Sequence, residues 1–245
     1  MKIDRKIKEF INGQKFSNGE KFVNNENYAE TSRTEILKDI CKGKDIIHLG
    51  CLDHVELIEE KRKKNIWLHQ ILLDSAKSCI GIDINEAGIL YVKNQLKIKD
   101  IYYADIVKEP MKEITTKKWD YIILGEILEH TDNPVFFLNR IKELYHNNID
   151  KIIITVPNVL SYATFNYLKG NTEFINTDHR YWFTGYTLLK VVNQADLTPL
   201  DIRYCNRIPL NNYQLAIRKF RKVILGKTTV YPFPYFSTLM IECKL

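Results

Sequence analysis

Asp45-Ile46-Ile47-His48-Leu49-Gly50-Cys51-Leu52-Asp53-His54 is a short apolar run that ends on a glycine and a polar loop. That is the pattern of a buried strand turning sharply at its carboxyl end. Four further runs of this kind follow at Ser78–Ile82, Ile101–Tyr103, Trp119–Leu124 and Lys151–Val156, with amphipathic helical stretches between them. Buried strands alternating with helices predict a parallel sheet. The stretch between the fourth and fifth strands reads most clearly as a helix, because Asp132 or Asn133 can cap it and Pro134 suits its first turn. Phe137, Leu138, Ile141, Leu144 and Tyr145 would then share one face. Beyond Val156 the pattern predicts a long connection, a helix from Thr184 to Ala195, a sixth strand near Leu200–Tyr204, a basic helix near Asn212–Leu225 and a last strand near Phe236–Cys243.

The expected fold is α/β: a Rossmann-like, doubly wound, mostly parallel seven-stranded sheet with an antiparallel last strand and an N-terminal helical cover. One domain over 1–245 would comprise the cover at 1–42, a core at 43–204 and the basic helix with the last strand at 205–245. The chain is 45% hydrophobic and 27% charged, too apolar for disorder, and its 10 Gly and 7 Pro exclude collagen-like or low-complexity structure. Five scattered cysteines form no C-x-x-C pair and fit reduced, buried thiols better than a disulfide framework or structural zinc. The first ten residues lack an apolar signal core, and no apolar stretch reaches the length of a membrane span, so a cytoplasmic protein is expected. Lys and Arg exceed Asp and Glu by 36 − 30 = 6. Part of that excess lies in Arg203, Arg207, Arg218, Lys219, Arg221, Lys222 and Lys227, which read either as a solvated helix face or as an anion-facing wall.

Four successive strands place polar groups at the carboxyl edge of the sheet, where a doubly wound fold opens its ligand crevice. Gly50 and Cys51 follow the first strand, and Asp83 and Ile84 end the second, where a carboxylate can accept from two ribose hydroxyls or cap the next helix. Asp105 and Ile106 follow the third, suited to an exocyclic amine and an adenine face, and Gly125 and Glu126 end the fourth.

Taken in order, these pieces resemble the class I S-adenosylmethionine-dependent methyltransferases over about Lys44 to Tyr204. Ile46 to Cys51 is similar to the family's first motif, Gly81-Ile82-Asp83 to its ribose-binding acid, and Ala104-Asp105-Ile106 to its adenine contact. Trp119 to Ile123 with Glu126 to His130 is similar to the fourth motif, and Ile153 to Asn158 and His179 to Thr184 complete the set. The resemblance implies S-adenosylmethionine as cofactor, held by His48, Gly50, Cys51, Asp83, Ile84, Asp105, Ile106, Gly125 and Glu126. His48 stands where the family usually has an acid near the cofactor's ammonium group, and Leu52 and His54 where further glycines are usual. The His-Leu-Gly-Cys-x-Asp-His loop resembles a bacterial branch associated with methylation of surface-glycan building blocks.

Methyl transfer to a hydroxyl needs a base, whereas an amine needs only desolvation. His179, with Asp178 beside it to orient the ring, and His130 are the expected bases, with Glu126 the third expected catalytic residue. If Glu126 to His130 begins a helix, Glu126, Glu129 and His130 face one point. With His179 they form a possible site for a divalent metal, a set that resembles the metal site of small-RNA 2′-O-methyltransferases. Asn158, Arg180, Tyr181 and Trp182 are expected to contact the acceptor, under a lid formed by the connection from Tyr162 to Trp182. Trp67, Phe136, Phe137, Tyr145 and Phe165 are expected to pack, and His69 and His146 carry no pattern. The acceptor expected is a small anionic molecule, a sugar- or phosphate-containing precursor of surface polysaccharide. An RNA 2′-O-methyltransferase, or a cofactor-binding relative without catalysis, are the alternatives.

Overall fold

The computed structural model describes residues 3–23, 31–168, 170–209 and 233–245. The described residues form a sheet of order β3-β2-β1-β4-β5-β7-β6, built from β1 Asp45–Leu49, β2 Ser78–Asp83, β3 Ile101–Tyr103, β4 Trp119–Gly125, β5 Ile149–Pro157, β6 Thr198–Arg207 and β7 Phe236–Lys244. β7 alone runs against the others, pairing antiparallel with both β5 and β6. β1 and β3 occupy the predicted spans, while β5 and β6 begin two residues early and run on to Pro157 and Arg207.

Alternate residues of the central strands feed opposite faces. Ile47, Leu49, Ile122 and Leu124 meet α1 (Arg5–Ile11), α7 (Pro134–Tyr145) and α9 (Gly185–Gln194) through Ile7, Leu138 and Leu188. Ile46, Ile123 and Ile153 meet α2 (Arg33–Cys41) and α4 (Leu68–Ser75) through Leu37 and Leu72. The short α3 (Ile58–Lys63) and α5 (Glu86–Gln95) close a third cluster with Leu52 and Trp67. Two further short helices are α6 (Lys112–Thr115) and α8 (Tyr162–Leu168). This two-faced covering is what near-continuous apolar strands require.

The caps agree with the local chemistry. Asn133, not Asp132, caps α7 by accepting from the Phe136 N–H, with Pro134 in the first turn. Thr184 caps α9 in a capping box with Thr187, and Ser32 caps α2 in a box with Glu35. The basic helix expected at 212–225 lies outside the described residues, as do Arg218, Lys219, Arg221, Lys222 and Lys227. Two packing expectations fail: Phe136 is 58% and Phe165 50% exposed. The five cysteines are buried and free, as expected. No described helix is long and apolar enough to cross a membrane.

Candidate active site

The sheet order reverses between β1 and β4, and two cavities open beside their carboxyl ends. One, of about 340 Å³, has Arg33, His48, Gly50, Asp83, Glu126 and Glu129 in its wall; the other, of about 410 Å³, has Ile84, Ala104, Asp105 and Ile106. Gly50, Ile127 and His130 belong to both. Gly50 sits at φ 68°, and a Cβ there would come within 2.7 Å of Ile127 Cδ1, so this turn requires glycine.

Asp83 carries the first loop. Its carboxylate accepts from the Leu52 N–H at 3.2 Å and the Asn85 N–H at 3.0 Å. Asn85, not Asp83, caps α5, which removes the capping alternative. Burial raises the Asp83 pKa, partly offset by those backbone donors. Across the second cavity Ile84 is 72% exposed while Ile106 is buried, so one apolar wall is fixed by the core and the other is open. Asp105 holds the Val107 N–H and pairs with Lys108 at 3.3 Å.

His48 is buried at the end of β1, its Nδ1 3.2 Å from Nδ1 of His69, which the sequence had not marked. Gly81 makes room for that partner, since a Cβ there would meet the His69 ring at 2.7 Å. Burial holds His48 well below and His69 at about 4, so both rings are neutral at neutral pH. Cys51 is buried, and desolvation keeps its thiol protonated.

Glu126 departs from expectation. Its backbone is left-handed, at φ 58°, and the short helix after it runs only from Leu128 to His130. The helical spacing that would aim Glu126 and Glu129 at one point is therefore absent, and Glu126 instead pairs with Arg33 at 2.7 Å. Glu129, His130 and His179 do converge, with one ligand atom of each within 4.8 Å of the others. Glu129 is fully buried, neither carboxylate oxygen has a hydrogen-bond partner, and burial pushes its pKa up to about 8. The His130 and His179 rings meet edge-on at 4.6 Å. Burial and then the His130 charge lower the His179 pKa. Asp178, expected to orient that ring, acts on it only through the smallest of these charge effects.

The segment carrying His179 is stitched to the turn after β4. The Arg180 N–H donates to the Glu129 carbonyl at 2.8 Å, and its guanidinium donates to the His130 carbonyl and pairs with Asp132 at 2.8 Å. The Tyr181 hydroxyl donates to the Asp132 carbonyl at 2.7 Å. Trp182 lies edge-on to His179 at 6.2 Å. Arg180 and Tyr181, read as acceptor contacts, thus spend polar atoms on latching this strap. Asn158, expected to contact the acceptor, is buried, donates to the Phe236 carbonyl at 2.9 Å and accepts from the Leu160 N–H. Arg203, a proposed anion holder, is paired with Asp201. Arg33 and Asn176, unmarked in the sequence, and Trp67, expected only to pack, line the first cavity; only their positions in the fold reveal this.

Neither a protein-family profile nor a curated protein sequence matches the chain. Solved structures do. The chain is similar to an S-adenosylmethionine-dependent methyltransferase from Archaeoglobus fulgidus, at 16% identity and a TM-score of 0.50 over 86% of this chain and 94% of that one. It is similar to the small RNA methyltransferase HEN1 at 17% identity and a TM-score of 0.57, over 86% of this chain but 24% of that one. A Bacillus halodurans protein provisionally assigned to the methyltransferases aligns at 10% identity and 0.53, over 86% and 98%. The chain has the fold of the class I S-adenosylmethionine-dependent methyltransferases.

Proposed function

We propose that this chain transfers the methyl group of S-adenosylmethionine to a hydroxyl of a small polar acceptor, a sugar- or phosphate-containing precursor of surface polysaccharide. The observation that supports the cofactor is the pair of cavities joined at Gly50, with Asp83 at one and Asp105 at the other. Asp83 would hold the ribose, and Asp105 with Ile84 and Ile106 the adenine. When bound, the cofactor would supply an electrophilic methyl on a sulfonium, the C–S bond breaking as the acceptor O–C bond forms, and the acceptor proton would have to leave to a base of this chain. His130 and His179, both in the wall of the first cavity, would take that proton, and the lowered pKa of His179 would keep its ring neutral and able to accept. An amine acceptor would not need this pair. The glycan class is supported by the likeness of the His48 to His54 loop to its bacterial branch. The arginines expected to hold an anion contribute less, since Arg180 and Arg203 already pair with Asp132 and Asp201.

A second reading has its own observation. One buried, unpartnered carboxylate and two imidazoles are a donor set for a divalent cation, Mn²⁺ more than Mg²⁺ by its nitrogen content. Glu129, His130 and His179 would hold the cation, and Glu126 would not. A cation there lowers the pKa of a hydroxyl it binds. That arrangement would also serve the 2′-hydroxyl of a small RNA.

The cofactor is tested by calorimetry with S-adenosylhomocysteine. Asp83→Ala should cost about 2 kcal/mol of affinity, the value of charge-assisted hydrogen bonds; unchanged affinity sinks the assignment. The cation is tested by melting the protein in Mn²⁺, where a rise in Tm that Glu129→Gln abolishes supports it. Full methyl transfer in a chelator, with no such rise, leaves the histidines acting alone.

A further inference from the structure

The first cavity contains one preformed ion pair and two polar groups without a partner, the Glu129 carboxylate and the Trp67 indole N–H. Arg33, the first residue of α2, is drawn inward: its N–H donates to Asn206 Oδ1 at 2.7 Å, and its Nη1 lies 2.7 Å from Glu126 Oε1 and 3.4 Å from Thr155 Oγ1. The Arg33 side chain is 19% exposed and that of Glu126 37%, and both line the cavity. Glu126 holds its place by a left-handed backbone that its N–H anchors on the Thr155 carbonyl at 2.9 Å. Trp67 lines the same wall, is 1% exposed, and its indole N–H has no partner. A buried donor without a partner is costly in a native protein, and a polar atom entering from the cavity would satisfy it.

Charge chemistry says which ligand. An ion pair whose two halves both face one cavity complements a zwitterion, which replaces the internal attraction with two external ones and leaves no lone charge buried. The α-amino acid end of S-adenosylmethionine is a zwitterion. Asp83, assigned the ribose, is in the wall of this same cavity, and Asp105, Ile84 and Ile106, assigned the adenine, are in the adjoining one, so the amino acid end would have this space left to it. His48, neutral and bonded to His69, supplies no charge for either group.

We infer that Arg33, with the Trp67 indole N–H, receives the α-carboxylate of the cofactor and that Glu126 receives its α-ammonium. Arg33 is then a binding residue contributed by the N-terminal cover, which makes that cover part of the cofactor site. Glu126 serves binding and not proton transfer. This inference rests on the cofactor reading above.

The test compares two ligands on the full chain by calorimetry. S-adenosylhomocysteine carries the amino acid end, and 5′-methylthioadenosine carries only the adenosine half. Arg33→Met should weaken S-adenosylhomocysteine by about 10–100-fold, the range of a lost charge-assisted bond, while 5′-methylthioadenosine stays within about twofold. Glu126→Gln, which keeps the shape, should act in the same direction and covers the case in which Arg33→Met fails to fold. An equal loss for both ligands, or none for S-adenosylhomocysteine, overturns this assignment and leaves the cofactor reading standing. Wild-type chain that binds neither ligand overturns both.

Discussion

His48 with His69, and His130 with His179, are two histidine pairs within one site, and burial sets them apart. The first pair sits at the base of the cavity, both rings shut off from water and joined Nδ1 to Nδ1 at 3.2 Å. The second meets edge-on at the mouth, with His130 on the turn after β4 and His179 on the strap. A shared Nδ1–Nδ1 bond fixes one ring as donor and the other as acceptor, and the remaining Nε2 of His69 is buried without a partner, so burial and not the bond keeps this pair out of proton exchange. At the mouth no such bond forms, and the rings keep nitrogens for a substrate proton or a cation. The same residue type therefore frames the site at one depth and, on the function proposed, would act in it at another.

The largest effect should come at the mouth. His179→Ala should lower turnover by about 10²–10⁴ with the Tm nearly unchanged, the magnitude of a lost general base. A variant that loses several degrees of Tm and keeps its turnover would make the mouth pair structural like the inner one. For His69→Ala the opposite is expected: about 2–4 kcal/mol of stability lost, from the cavity and from His48 left without its partner. In a chain of this size that lowers Tm by about 4–16 °C.

Acid should separate the pairs as well. Both inner histidines have folded pKa values below the ordinary 6.5, with His69 at about 4. Their contribution to stability is fully present above pH 6.5 and is lost as pH falls through the lowered folded values. His69→Phe, which fills the space without titrating at that position, should flatten the acid limb of the stability curve. An identical limb in wild type and variant would remove the inner pair as its cause. Glu129 works in the other direction, since its raised pKa of about 8 costs stability as pH rises from 4.5 through that value.

How much of this was legible depends on the kind of signal. β1 and β3 are read to the residue because buried parallel strands appear as apolar runs bounded by polar turns. Gly50, Asp83 and Asp105 are read because strand tips are local and always point at the crevice. His69 is not, for it becomes a partner of His48 only when α4 packs beside β1. Arg33 lies in a stretch that reads as mere cover, and its pairing with Glu126 spans the sheet. The Glu126 error has a local cause, since a non-glycine residue at φ 58° breaks the helical count on which the four-ligand reading rested. The place of Asn158 after β5 is legible, but not that its side chain bonds the Phe236 carbonyl and the Leu160 N–H.

The smallest effect concerns Arg180, where the two histidine pairs differ in what holds them. Packing holds the inner pair, but the mouth pair depends on the latch that Arg180 forms with the Glu129 and His130 carbonyls and with Asp132. Its side chain is half exposed and Asp132 is 90% exposed, so the ion pair itself is worth at most about 1 kcal/mol. The Arg180 N–H bond to Glu129 survives any substitution except proline. Arg180→Ala should therefore lower kcat only about 2–5-fold, as His179 samples more positions, a cost of about 1 kcal/mol or less. KM should be unchanged for anionic and neutral acceptors alike. If Arg180 instead grips the acceptor's phosphate or carboxylate, KM for anionic acceptors should rise about tenfold or more while neutral ones are unaffected, the signature of a lost charge-assisted contact. Steady-state kinetics with one acceptor of each kind decides between latch and grip, and the latch is the expected result because the side chain's hydrogen bonds are already directed inward.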